Sequence, residues 1–407
     1  MKILHVIPTV AASDGGPAKA VVEMCRDSNK RGAEAEIYTT NLDGTGVHAV
    51  ACGKPIEVNG VRITYFPVAF SNFFKISPAL VTALKSKIPD CDVVHIHSLY
   101  QFPSTAAAFY CRRFEVPYIL RPHGTLDPYL HARHRGRKWL YELLFERRNL
   151  RDAAAVHFTT DDEMRLAQDS GLQFNPVVIA LGVDFQRGAT LRRDRTAMEE
   201  RWPKTTNKKV ILFLGRINFK KGLDILARAF GQIARVRDDV FLMIAGPDSD
   251  GLGARVREWL AEEGVLDRTI FAGMVTGDDK SAIWAGASMF VLPSHSENFG
   301  IAVVEAMASG LPVVISDAVN LAPAIAAAEA GLVVKANASE MAKAIERLLN
   351  DDTLAHRNAD NGIRLARESF SWDAAGPKLM EMYDRVVANS RDRTKTLKLE
   401  RDVARTQ

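Results

Sequence analysis

Five side chains have types and settings that could bind hydroxyls or an anion. Glu297 and Glu305 belong to the stretch Ser294-His-Ser-Glu-Asn-Phe-Gly-Ile-Ala-Val-Val-Glu305, which runs on to Gly310 and Pro312. Carboxylates accept hydrogen bonds from hydroxyls, so this pair can hold a polyol at two depths. Arg216 and Lys221 take opposite ends of Gly215-Arg-Ile-Asn-Phe-Lys-Lys-Gly222, with Lys220 a lesser candidate. A guanidinium fork and an ammonium point charge both suit a diphosphate. His123, in Arg121-Pro-His-Gly-Thr-Leu-Asp127, can donate a hydrogen bond to a sugar hydroxyl or exchange a proton. Taken alone, each has a bland alternative: solvated carboxylates on a surface helix, a solvated basic loop, a histidine bonded to loop carbonyls.

The elements that must position these groups follow from periodicity. Short apolar runs at 3–7, 35–39, 61–66, 93–96, 118–120, 155–158 and 177–179 read as strands of a first domain. Runs at 210–214, 241–245, 270–275, 289–292, 313–315 and 331–334 read as strands of a second. Amphipathic stretches alternate with them, which is the doubly wound α/β pattern. The candidate loops each follow a strand, and open α/β sheets bind ligands at the carboxyl ends of strands. Pro293 and Ser294 end one strand, a helix is expected to begin near Phe299 or Gly300, and Gly310 with Pro312 stops it. The N–H groups of Asn298, Phe299 and Gly300, with Ile301 just beyond, would face an anion at that helix N-terminus. Gly15 and Gly16 lie between the first strand and a helix over 18–30. Glycine there lets backbone amides approach a phosphate, yet no G-x-G-x-x-G fingerprint is present.

Composition narrows the classes. The 407 residues exceed one ordinary core, and 47% hydrophobic with 25% charged residues is typical of globular chains. A net charge of +4 gives no argument for nucleic acid. Cys25, Cys52, Cys91 and Cys111 form no C-x-x-C pair and read as reduced thiols of a cytoplasmic protein. The first eight residues are too short, and too soon broken by Pro8, for a signal peptide. Asp90-Cys-Asp92 and Asp248-Ser-Asp250 match D-x-D, but their settings read as surface or turn carboxylates, and no metal is expected.

The glutamate stretch, set in S-x-S-E-N-F-G-x-x-x-x-E-A-M-A-x-G-x-P-V-V, resembles the E-x7-E signature of glycosyltransferase family four, and the G-R-x-x-x-x-K-G loop resembles that family's diphosphate loop. The resemblance extends to about Ala388. It implies a GT-B fold: two Rossmann-like doubly wound domains facing a central cleft. It implies a retaining, metal-independent transfer of a hexose from a UDP-sugar, with GDP-mannose as second choice, to a saccharide or lipid-linked saccharide. Arg216, Lys221, Gly15 and Gly16 would face the diphosphate. Glu297 would hold the donor sugar, Glu305 the ribose, and backbone near Met274 the base. His123 would face the sugar from the first domain, with Asp127 and Arg121 as weaker acceptor candidates.

The expected domains are 1–187, a linker at 188–207, a donor domain at 208–370, a helix at 371–388 crossing back to the first domain, and a flexible tail at 389–407. Residues 131–151 combine many arginines with Trp139, Leu140, Leu143, Leu144 and Phe145. Such a helix suits an anionic membrane or a diphosphate-linked lipid. A core-facing apolar side is the preferred reading, with peripheral contact at the inner face of a membrane left open. The aromatic segment 70–76 would line an acceptor entrance or belong to the core. Rival classes are a GT-B sugar-nucleotide 2-epimerase and a non-catalytic nucleotide-sugar scaffold. A nicotinamide dehydrogenase is disfavoured by the missing glycine fingerprint.

Overall fold

In a computed structural model, residues 1–11, 15–44, 46–69, 73–127, 139–185, 195–248 and 251–406 are described, with side chains to residue 392. The linker's first part, Phe70 to Asn72, residues 131–138 and Asp250 thus lie outside the described residues. The chain divides into two units: Met1–Gly182 with Ala375–Gln407, and Val183–Ala374. The second unit starts earlier than the expected linker because Val183 is already tied into it. Its N–H donates to Phe370 O at 2.7 Å, and Val183 bridges Ser371.

The first unit holds an eight-stranded sheet of order β10-β9-β8-β7-β1-β2-β6-β5. Its members are β1 (Lys2–Val6), β2 (Glu34–Thr40), β5 (Pro55–Val58), β6 (Val61–Phe66), β7 (Val93–His97), β8 (Tyr118–Arg121), β9 (Ala155–Phe158) and β10 (Pro176–Val178). All neighbours are parallel except β5 and β6. That hairpin is missing from the sequence reading, although Asn59-Gly60 marks it: both residues have positive φ (53° and 76°), as a tight strand-to-strand turn requires. A two-stranded hairpin, β3 (Leu42–Asp43) with β4 (Gly46–Val47), is also added. Strand order reverses between β1 and β7, so the loops at their carboxyl ends diverge and leave a crevice.

The second unit is an all-parallel sheet of order β13-β12-β11-β14-β15-β16. It comprises β11 (Lys209–Leu214), β12 (Val240–Ala245), β13 (Thr269–Gly273), β14 (Met289–Leu292), β15 (Val313–Ser316) and β16 (Gly331–Val334). Its central strands are buried on both faces, as parallel sheets covered by helices demand. Here the reversal falls between β11 and β14, paired through Ile211 with Met289 and Leu212 with Phe290.

Two expectations about helices are corrected. The last helix is continuous over Trp372–Thr406, where a loose tail from 389 is expected. Residues 389–406 have no core-facing period, but they lack Pro and Gly, which would break a helix, and Arg391 donates to Asp92 Oδ1 at 2.9 Å. The second correction concerns the basic segment. In its described part the apolar side chains face outward, with Trp139 57% and Leu144 58% exposed, while Glu142 and Glu146 are buried. A π-turn over Glu142–Glu146 brings both acids inward, where donors wait for them. Tyr100 OH donates to Glu142 Oε1 at 2.5 Å, Tyr100 N–H to Glu146 Oε1 at 2.6 Å, and Asn149 Nδ2 to Glu146 Oε2 at 3.2 Å. Among the described residues no helix is long and apolar enough to cross a membrane.

Burial pushes the Glu146 carboxyl up to about 7. The folded chain therefore keeps a proton that the unfolded chain gives up near the ordinary glutamate value. Stability contributed by this group is full at low pH and falls as pH rises through that interval. Denaturant unfolding of Glu146→Gln between pH 4 and 8 is expected to show a flatter pH profile than the parent, by on the order of 1–3 kcal/mol across the range.

Candidate active site

The loops that follow β11 and β14 carry most of the chemistry. After β11, Ile217 N–H donates to Pro247 O at 2.9 Å. Asn218 caps a short turn over Phe219–Lys221 by accepting from Lys220 N–H at 3.1 Å. Gly222, at φ 65°, then opens the helix Leu223–Ala234. A Cβ at Gly222 would lie 2.0 Å from Pro293 O, so only glycine lets this turn press against the end of β14. His295 N–H donates to Lys220 O at 2.7 Å, and the His295 ring meets Asp224 Oδ1 at 3.2 Å, clamping the two loops together.

That clamp brings Lys221 to Glu297, and the ammonium donates to Oε2 of the carboxylate. Glu297 is itself strapped on the backbone: its N–H donates to Ala318 O and its carbonyl accepts from Asn320 N–H, both at 3.0 Å. Arg216 is half-buried in the same loop as Lys221. The helix over Ile301–Ala308 starts slightly later than expected, with Gly300 as its N-cap at φ 73°, ψ 55°. The amides it leaves without intrahelical acceptors are then those of Gly300 to Ala302, shifted from Asn298 to Gly300. The Phe299 side chain is buried and sits edge-on to Phe370 at 5.7 Å, so this residue can offer only backbone. Glu305 meets Lys280 Nζ at 2.9 and 2.8 Å through its two oxygens. Lys280, on the helix Gly277–Gly286, is absent from the sequence reading, because no spacing links it to Glu305. Met274 is exposed just after β13, which stops at Gly273 with φ 67°.

In the first unit, Gly15 caps the helix Gly16–Lys30 with φ 73°, after β1. His123 follows β8 with φ 54°, and Gly124 with φ 75°. Two successive left-handed residues are strained for a side chain like histidine and need external support. Glu163 supplies it: its Oε1 accepts from Gly124 N–H at 2.8 Å, and its Oε2 from Thr159 N–H and Oγ1 at 2.7 Å each. The sequence shows Glu163 only as helix-capping chemistry, following Thr160. Burial, with Arg121 and His157 nearby, holds His123 well below the usual histidine range, so it is a neutral ring. Arg121, the other weak acceptor candidate, is 1% exposed, with its guanidinium buried in the sheet layer. Asp127 ends the loop, its N–H donating to Gly124 O at 3.1 Å. The D-x-D carboxylates serve the backbone and the surface. Asp92 Oδ2 accepts from Lys2 N–H at 2.8 Å, and Asp248 Oδ2 from Gly253 N–H at 3.0 Å.

Comparison with known proteins agrees with this fold. Residues 194–365 match the family described as glycosyl transferases group 1, and residues 15–182 the glycosyl transferase 4-like domain. The chain is 31% identical over 248 residues to an alpha-D-kanosaminyltransferase of Streptomyces kanamyceticus, covering 58% of this chain and 62% of that relative. Among solved structures, sucrose-phosphate synthase from Thermosynechococcus elongatus superposes with TM-score 0.79 at 20% identity, over 96% of this chain and all (100%) of that one. Anabaena HepE, in complex with UDP and glucose, superposes with TM-score 0.74 at 18% identity, over 95% and 100%.

Gly222→Ala is expected to destabilise the second unit by about 2–3 kcal/mol, since the contact it creates is with backbone that cannot swing aside. Chemical denaturation compared with Gly251→Ala, where a Cβ would meet nothing within 4 Å, isolates the steric part.

Proposed function

Because the chain belongs to the glycosyl transferases group 1 family and has the GT-B fold, we propose that it transfers a hexose from a UDP-sugar to a hydroxyl of a saccharide or lipid-linked saccharide, with retention at the anomeric carbon. The observation that carries this reading is the placement of Arg216, Lys221 and Glu297 on loops after β11 and β14, adjoining strands at a topological switch point. UDP in the similar Anabaena structure supports the choice of base.

As the glycosidic bond breaks, negative charge grows on the leaving diphosphate. Arg216, Lys221 and the amides at Gly300 to Ala302 lie ready to stabilise it. A diphosphate engaging Lys221 frees Glu297 to accept from hydroxyls of the donor sugar. Glu305, oriented by Lys280, accepts from the ribose. The base lies along the backbone at Met274. The incoming hydroxyl passes its proton to the departing phosphate oxygen as the new bond forms. His123 faces the sugar, and Asp127 stands toward the acceptor. No metal is needed in this scheme, since cations and amides of the chain neutralise the diphosphate.

The outward apolar residues 139–145, flanked by the exposed Arg147, Arg148 and Arg151, add a lipid surface to the proposed partners. Apolar side chains enter the headgroup boundary while arginines meet anionic lipid.

The test is a panel of nucleoside diphosphates and their sugars followed by thermal shift. UDP at about a hundred times its Kd should add roughly 2.7 kcal/mol of stability, whereas a response to GDP alone would move the donor to GDP-mannose. Turnover should survive EDTA, and NMR of the product should show a glycoside of unchanged anomeric configuration. An epimerised sugar nucleotide would mark the 2-epimerase instead. Arg216→Ala should lower kcat about 100- to 1,000-fold, roughly 3 kcal/mol. Co-sedimentation with phosphatidylglycerol vesicles should be lost in a Trp139→Ser, Leu144→Ser variant, and equal binding to neutral vesicles would remove the electrostatic part of the membrane reading.

A further inference from the structure

The sheet of the first unit carries a buried layer that the reaction scheme leaves unused. His5 on β1, His95 and His97 on β7, and His157 on β9 are all buried, and Arg121 on β8 is buried with them. His5 stands in register with His95, and His97 with Arg121. Two histidine–histidine hydrogen bonds run through the layer toward the candidate site. His5 Nδ1 lies 3.1 Å from His97 Nε2, and His97 Nδ1 lies 3.1 Å from His123 Nε2. His95 Nδ1 meets Tyr383 OH at 2.8 Å, and His157 Nε2 meets Ile179 O at 2.8 Å.

Burial keeps these rings neutral, so each carries one N–H and one lone pair. A chain of neutral imidazoles must then run in one direction: every ring donates one way and accepts from the other. Three observations choose the direction. Ile179 O can only accept, so His157 carries its proton on Nε2 and a lone pair on Nδ1. Tyr383 OH lies 2.8 Å from His95 Nδ1 and 3.8 Å from Met24 Sδ, so with its proton turned to the sulfur its oxygen can accept from His95 Nδ1–H. Arg121 places three buried nitrogens, Nε, Nη1 and Nη2, without a direct acceptor. Three ring nitrogens of the same layer, His5 Nε2, His95 Nε2 and His157 Nδ1, are buried without a direct partner. A guanidinium has only donors, and its charge favours lone pairs turned toward it over N–H groups. The proton of His5 therefore sits on Nδ1.

We infer that His5 and His97 are positioning residues which, oriented by buried Arg121, fix His123 as its Nδ1–H tautomer, so that it presents a hydrogen-bond donor and not a base. His5 Nδ1–H donates to His97 Nε2, His97 Nδ1–H donates to His123 Nε2, and the remaining proton of His123 is left on Nδ1. The consequence for catalysis rests on the reading that His123 faces the donor sugar. The tautomer assignment does not. The trio His5, His95 and His97 also lies within 4.8 Å in its ligand atoms, a spacing a cation could use. The absence of a carboxylate from this trio and the presence of the guanidinium argue for the proton chain.

A proton–nitrogen correlation spectrum of the ligand-free chain with isotope-labelled histidine reads the tautomer directly, and His123→Gln assigns its signal. The expected result at neutral pH is a neutral His123 protonated on Nδ1. His5→Asn, whose amide N–H takes the place of Nδ1–H, should keep that form. His5→Leu should give a mixture of tautomers, with kcat lowered about tenfold at unchanged KM for the sugar nucleotide. If His5→Leu does not fold, Arg121→Met should produce the same mixture. An Nε2–H form in the parent, or a spectrum unmoved in these variants, overturns the inference. So would zinc-induced shifts confined to His5, His95 and His97, which would make the layer a metal site. Since no substrate is present, an Nδ1–H tautomer in a chain that binds no sugar nucleotide would remove the transferase reading alone.

Discussion

The lateral pairing of β11 with β14 is the constraint from which the candidate site follows. Helices leave these neighbouring strands in opposite directions, so the two loops separate above them and leave room for a ligand. The room is narrow at its base, where Gly222 touches the Pro293 carbonyl and His295 bonds to Lys220 and Asp224. Such a base holds Lys221 and Glu297 within bonding reach although they are far apart in the chain. Two charges of opposite sign, both largely shielded from water, satisfy each other until something with a stronger claim enters.

The first unit meets a different problem with different chemistry. A strained His123-Gly124 turn is held from beneath by Glu163, and behind it lies a row of neutral histidines facing a lone guanidinium. Buried charge is costly unless it is paired or solvated by dipoles. Here the Glu163 carboxylate, buried beneath the same turn, supplies opposing charge to Arg121, and neutral imidazoles fill the rest of the layer. Direction of hydrogen bonding, rather than net charge, is what such an arrangement can transmit.

Much of this was legible in the chain, and the reasons are local. Every expected strand exists, because parallel strands buried on both faces read as unbroken apolar runs such as Val210–Leu214 and Met289–Leu292. The loops were legible because Gly215, Gly222, Gly300 and Pro293 mark where chain direction changes. The rest was hidden for physical reasons. His5, His95, His97 and His157 interrupt those runs at single positions, so periodicity absorbs them into the strands, and only the pairing of β1, β7 and β9 with their neighbours shows that they form one layer. Lys280 reaches Glu305 from another helix. The inward glutamates at 142 and 146 invert the expected face, because a π-turn breaks the period on which amphipathic patterns rest.

The last helix has one more consequence. From Ala375 onward it belongs to the first unit, and Tyr383 is wholly buried there against His95. On the ribosome, the first unit's sheet is therefore synthesised well before the helix that carries Tyr383 and forms its final wall. The contiguous middle segment, Val183 to Ala374, can fold before it. Nascent chains should thus carry an uncovered histidine layer until the segment from Ala375 has emerged.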